Sequence, residues 1–216
     1  MKNLFLERDY VLNIKLKGKY TEEAQLIKGK ELPAGANQFK ESKTVTGMLI
    51  KGMIMMLPLM LPMVIIGLIK IREITNDFEI NLSLVITFAV MLVLSYLLIY
   101  VHEFIHALFY PVGAVKEIWR YPAENAYFVY CDALISKPRF IIINLAPAFL
   151  LGIIPYIIWL FIYDTLPMNI SICFFILTLI TTLMGSGDFY NVFNTIFQVP
   201  SKAKIFNFGF HSYWIE

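Results

Sequence analysis

The sequence predicts an all-α polytopic membrane protein of about four transmembrane helices, with a short cytosolic β element between helices 2 and 3. Three observations carry that reading. The composition is 58% hydrophobic over 216 residues, with a mean hydropathy of +0.67, beyond the apolar share of most soluble domains. Four stretches approach the roughly 20 apolar residues that a bilayer-spanning helix needs. Charged residues are concentrated in the segments between those stretches.

Taken in order, residues 1–46 read as a cytosolic amino-terminal lead-in of mixed charge, with a turn at Pro33-Ala34-Gly35-Ala36-Asn37. The charged start "MKNLFLERDYVLNIKLKGKY" lacks the apolar core of a cleaved signal, so targeting is expected to come from the internal spans. The four predicted spans cover residues 47–69, 81–110, 140–163 and 170–188 and lie within one membrane domain, 47–199. Pro58 and Pro62, four apart in "MIMMLPLMLPMV", are expected to kink or loosen the first span. "AYFVYCDALI", residues 126–135, is rich in β-formers between a Pro-Ala-Glu-Asn turn and Pro138, and reads as a strand. Residues 200–216 read as a cytosolic tail. No internal repeat is visible.

Lys and Arg set the orientation. Nine lie in residues 1–46, four in 111–139 and two after Asp188, against two in the alternate connections 70–79 and 164–169. Fifteen against two predicts a multi-pass protein of the cell membrane with both termini in the cytosol. A net charge of +2 gives no case for nucleic acid as a partner. Two cysteines, Cys131 and Cys173, supply neither a disulfide framework nor a paired metal motif, and read as packing residues.

Ionisable residues inside the spans are few. The first span has Lys51 near its cytosolic end, the second His102, Glu103 and His106 in "HEFIHALF", and the fourth Asp188 in "LMGSGD". An intramembrane charge is costly unless paired and is a functional candidate by default. His102 and His106, four apart on a helix, share a face and could ligate one Zn²⁺. Glu103, about 100° round the helix, could reach a water on that metal as general base. Hydrolytic zinc sites take a third protein ligand, and Asp188 is the acid available in another span; capping a helix is its alternative role. Asp132, Glu124 and His211 are reserves. Asn144, with Pro147 in "NLAP", either bonds a neighbouring helix or faces the site to hold a substrate carbonyl or oxyanion.

An HExxH helix, a span carrying Asn-x-x-Pro and a span ending in Asp resemble the three-helix core of the site-2 proteases. His102-Glu103-x-x-His106 together with "SGDFYNVFN" resembles more closely the bacterial putative zincin peptidase family of small membrane proteins. The resemblance covers about residues 30–210. It implies a zinc metalloprotease held by His102, His106 and Asp188, with Glu103 and Asn144 as catalytic residues and a membrane protein or peptide as substrate. Gly187 precedes Asp188 and Phe189 follows it, whereas the site-2 pattern places Gly after the Asp, and no PDZ domain is present. The expected activity is hydrolysis of peptide bonds near the cytosolic membrane face, with residues 126–131 offering an edge strand to an extended substrate. The alternatives are a zinc hydrolase of a non-peptide membrane substrate, such as a lipid-linked amide or ester, and a non-catalytic metal-binding membrane protein.

Overall fold

In the computed structural model, residues 12–42, 44–75 and 80–216 are described. The first eleven residues of the expected lead-in lie outside them. The chain enters through β1 (Ile14–Lys19), a single turn α1 (Ala24–Ile27) and the short β2 (Asn37–Gln38). It then forms α2 (Val45–Ile74), which starts at Thr44, whose hydroxyl accepts the Gly47 amide at 3.0 Å. Asn81 starts α3 (Leu82–Phe109) in the same way, accepting from the Leu84 amide at 2.9 Å. In each case a side-chain oxygen satisfies a free amide of the first turn. Helix α3 stops where Tyr110 turns extended ahead of Pro111, which disfavours helical backbone in the residue before it.

A hairpin follows, of β3 (Lys116–Tyr121) and β4 (Ala126–Tyr130), and then β5 (Ile135–Ser136). The next span runs from Lys137 to Ile162 as α4 (Lys137–Ala148), a five-residue π turn (Phe149–Ile153) and α5 (Ile154–Ile162). The last apolar stretch is α6 (Met168–Met184) and α7 (Ser186–Gln198), and β6 (Lys204–Phe208) and β7 (His211–Ile215) end the chain. Helices α2, α3 and the 137–162 helix are each long and apolar enough to cross a membrane, and the α6–α7 pair makes a fourth if counted as one span. Much of the outward surface of α3 is exposed Leu, Val and Phe, as a lipid-facing helix requires. The protein is a membrane protein by this measure.

Two expectations need correction. The fold is not purely α-helical: β1, β3 and β4 form one sheet, in that order, and β2, β7, β6 and β5 form another. The first joins β1 to β3 in parallel, and the second joins β2 to β7 across most of the chain, two long-range pairings that no local hairpin signal announces. The fourth span also does not end at Asp188. It breaks at Gly185 with a 43° bend, and Asp188 sits in the first turn of a separate helix.

Glycines and prolines explain how the helices fit. The buried stripe of α2 is Gly52, Met56, Met60, Met63 and Gly67, one face of a helix. A Cβ on Gly52 would overlap the Ser186 carbonyl and one on Gly67 the Phe175 ring, so α2 lies close against the α6–α7 pair. Pro58 and Pro62 point to the exposed side, and α2 continues through both. Proline also removes the amide that would bond the carbonyl four residues back. Three such carbonyls have found other donors. Pro155 leaves the Leu151 carbonyl to the Thr181 hydroxyl at 2.7 Å. Pro200 leaves the Ile196 carbonyl to the Lys137 ammonium at 3.0 Å. Pro147 leaves the Ile143 carbonyl to His106 Nδ1 at 2.8 Å.

The β3–β4 hairpin lies beside α3 rather than beyond its end. The Tyr127 hydroxyl of β4 is 2.8 Å from that of Tyr100, which sits about 14 Å back from the end of α3 at 1.5 Å per residue. Among the described residues, strand β4 is an edge of its sheet, paired through β3.

Candidate metal centre

His102, Glu103 and His106 lie in the last two turns of α3, all buried. Their spacing brings both imidazoles to one side of the helix, with ring centroids 4.8 Å apart. The break at Gly185 starts α7 beside them, so its first turn delivers Asp188 to the same point. His102 Nε2 is 3.0 Å from Asp188 Oδ2, His106 Nε2 is 3.3 Å from Asp188 Oδ1, and the two Nε2 atoms are 3.1 Å apart.

These separations fit a shared cation. Donor atoms held 2.0–2.1 Å from one centre in a tetrahedron stand about 3.3 Å from each other. The bond to Ile143 fixes the chemistry further. A carbonyl only accepts, so His106 Nδ1 carries a proton, and in the neutral ring Nε2 then presents a lone pair. That lone pair faces a second imidazole nitrogen and a carboxylate oxygen, an arrangement that an electrophile between them makes favourable. Two imidazole nitrogens and one carboxylate are a zinc donor set that leaves a fourth position open. His102 Nδ1, by contrast, is buried without a hydrogen-bond partner among the described residues.

The cluster opens into a cavity of about 480 Å³. Glu103 lines it next to the two histidines. Its other walls are the start of α2 (Val45, Met48, Leu49), the hairpin from Glu124 to Val129, and Asn207 and Ser212 from the carboxy-terminal strands. Asn144 lines the cavity too. Its Nδ2 donates to the Phe140 carbonyl at 2.8 Å, and its Oδ1 accepts from Asn191 Nδ2 at 3.3 Å.

Of the reserve residues, Glu124 lies at the hairpin tip on the cavity wall, Asp132 pairs with Lys30, and His211 Nδ1 is 3.0 Å from Glu41. None joins the cluster, whose members among the described residues are His102, His106 and Asp188. Cys131 and Cys173 are buried free thiols in the packing. Asn191, Tyr110, Asn207 and Ser212 were missed by sequence reasoning. Asn191 carried a usable signal, since it follows Asp188 by three residues and so shares its helix face. Tyr110 did too, four residues after His106 at the end of α3, whereas Asn207 and Ser212 reach the cavity through tertiary pairing that no local pattern announces.

The family model of the putative zincin peptidases matches residues 95–204, about half the chain and all of the cluster. The chain belongs to that family, whose description implies zinc binding and peptidase chemistry. No curated protein and no solved structure matches the chain.

Proposed function

We propose that this zincin-family chain is a membrane-embedded zinc metallopeptidase of the site-2 protease kind, hydrolysing peptide bonds near the cytosolic face of the cell membrane. The carrying observation is the convergence of His102 Nε2, His106 Nε2 and the Asp188 carboxylate within 3.0–3.3 Å, with Glu103 beside them in one cavity. His102, His106 and Asp188 would hold the ion. Bound zinc supplies Lewis acidity, lowering the pKa of a water and polarising the scissile carbonyl.

The chain's own groups do the rest. Glu103 takes the proton of the attacking water and passes it to the leaving amine, general acid–base work worth about a hundred- to ten-thousand-fold. The Ile143 carbonyl keeps His106 in the tautomer that ligates. The edge strand β4 borders the same cavity, which favours an extended peptide over other membrane substrates, since such an edge pairs with a peptide backbone.

Metal analysis of the purified protein tests the reading. It predicts one Zn²⁺ per chain, X-ray absorption showing nitrogen and oxygen at about 2.0–2.2 Å, and loss of most metal in His106→Ala and Asp188→Ala. Sulfur scattering at about 2.3 Å, or full zinc retained by both variants, contradicts it.

A further inference from the structure

We propose that Asn191 reads the peptide group of the substrate, so that the site takes an amide-linked chain in preference to an ester. The inference rests on the zinc hydrolase reading above and names a residue that would recognise the substrate backbone at that site.

Asn144 is buried on α4. Its Nδ2 donates to the Phe140 carbonyl at 2.8 Å, and that bond fixes which way the amide faces. Oδ1 therefore points to α7, where it can only accept. Asn191 meets it with Nδ2, at 3.3 Å. One N–H of Asn191 is thus used and its orientation set. Its second N–H and its Oδ1 have no partner among the described residues.

Asn191 is also a residue of the cavity wall, together with His102, Glu103, His106 and Asp188. It follows Asp188 by three residues, on the same face of α7 and about 4.5 Å further along the axis. The next asparagine on α7 differs: Asn194 Oδ1 accepts from Gln198 at 3.0 Å, and Asn194 does not line the cavity. A donor and an acceptor on one planar amide complement the N–H and C=O that one residue of an extended chain presents to the same side. An ester presents acceptors only, so its oxygen would face Asn191 Oδ1 with no proton between them. A site built to bond an N–H rejects the analogue that lacks it, because its own acceptor is left unpaired.

The test uses full-length, zinc-loaded protein in detergent and three probes: acetohydroxamate, which engages the metal alone; a dipeptidyl hydroxamate; and its depsipeptide analogue, with oxygen replacing the tail N–H. The wild type should bind the amide probe about tenfold tighter than the ester, as one hydrogen bond of about 1.4 kcal/mol gives. In Asn191→Ala that preference should fall below about threefold, with zinc content and acetohydroxamate affinity unchanged; Asn191→Leu replaces it if the Ala variant does not hold zinc. A wild type without the preference, or a preference that survives both substitutions, overturns the role of Asn191. With acetohydroxamate still bound, either result leaves the hydrolase reading standing. Failure of the zinc-loaded wild type to bind acetohydroxamate overturns both.

Discussion

His106 Nδ1 donates to the carbonyl oxygen of Ile143 at 2.8 Å across the contact between α3 and α4. That oxygen is available because residue 147, which would bond it within the helix, is a proline with no amide proton. A backbone irregularity in one helix thereby fixes the proton position of a metal ligand in another. The same helix, through the next residue, Asn144, orients Asn191. Helix α4 supplies no ligand, yet it sets two groups that face the cavity.

Pro147→Ala restores the competing N–H and should divert part of the Ile143 carbonyl from His106. Partners that orient a ligating histidine are typically worth about 10–100-fold in metal affinity. We expect the variant to bind zinc up to about tenfold more weakly, measured by competition with a chelator. The metal-free protein should be no less stable, because the helix gains a bond. Unchanged zinc affinity would assign the His106–Ile143 contact to packing alone.

The site was largely legible in the sequence because its strongest signal is local. HExxH puts three chemical groups within five residues of one helix, and an acid in another span stands out against an apolar background. Asp188 was reachable by that contrast alone. The break at Gly185 that aims it was not, since "LMGSGD" reads equally well as the end of a span. The strand read at 126–135 is there as β4, but the full extent of the two sheets escaped for a related reason: β1 pairs with β3 about a hundred residues later, and β2 with β7 at the far end of the chain. Pro147 is plain in "NLAP", but only the position of His106 shows which oxygen it frees.

Glu117 predicts a pH dependence away from the membrane site. It is 3% exposed on β3, with Lys28 Nζ 2.8 Å from both its oxygens, Lys17 at 3.5 Å and the Trp119 indole donating at 3.3 Å. Burial pushes its carboxyl up, but the Lys28 bond, Lys17 and the indole together hold it below the ordinary carboxylate range. A lowered folded pKa adds stability above the unfolded value, about 4.3, which is lost as pH falls through the folded value. Thermal unfolding of the wild type and Glu117→Gln should therefore differ by on the order of a few degrees at pH 7. The gap should stay constant to about pH 5 and close below about pH 4. A gap that persists unchanged to pH 3 would mean that charge is not what Glu117 contributes.

Topology follows from the fifteen-to-two bias of Lys and Arg. Cysteines introduced in residues 200–216 should react with an impermeant maleimide only after cells are opened, and those in 164–169 should react from outside. Labelling of the 200–216 segment on intact cells would invert the arrangement and move the metal centre to the other face.

Hydrolysis at a zinc site with Glu103 as base stands or falls with Glu103→Gln. The side chain lines the cavity beside His102 and His106 without joining their cluster with Asp188, so the substitution should leave metal binding intact. It removes the proton acceptor, for which a loss of at least about a hundredfold is expected. The measurement pairs zinc content of the purified variant with a comparison of membrane peptides in cells making the wild type or the variant. The account predicts one zinc per chain in both proteins and at least one membrane peptide that stays intact only with the variant. A Gln variant that retains zinc and processes every peptide as the wild type does would contradict it.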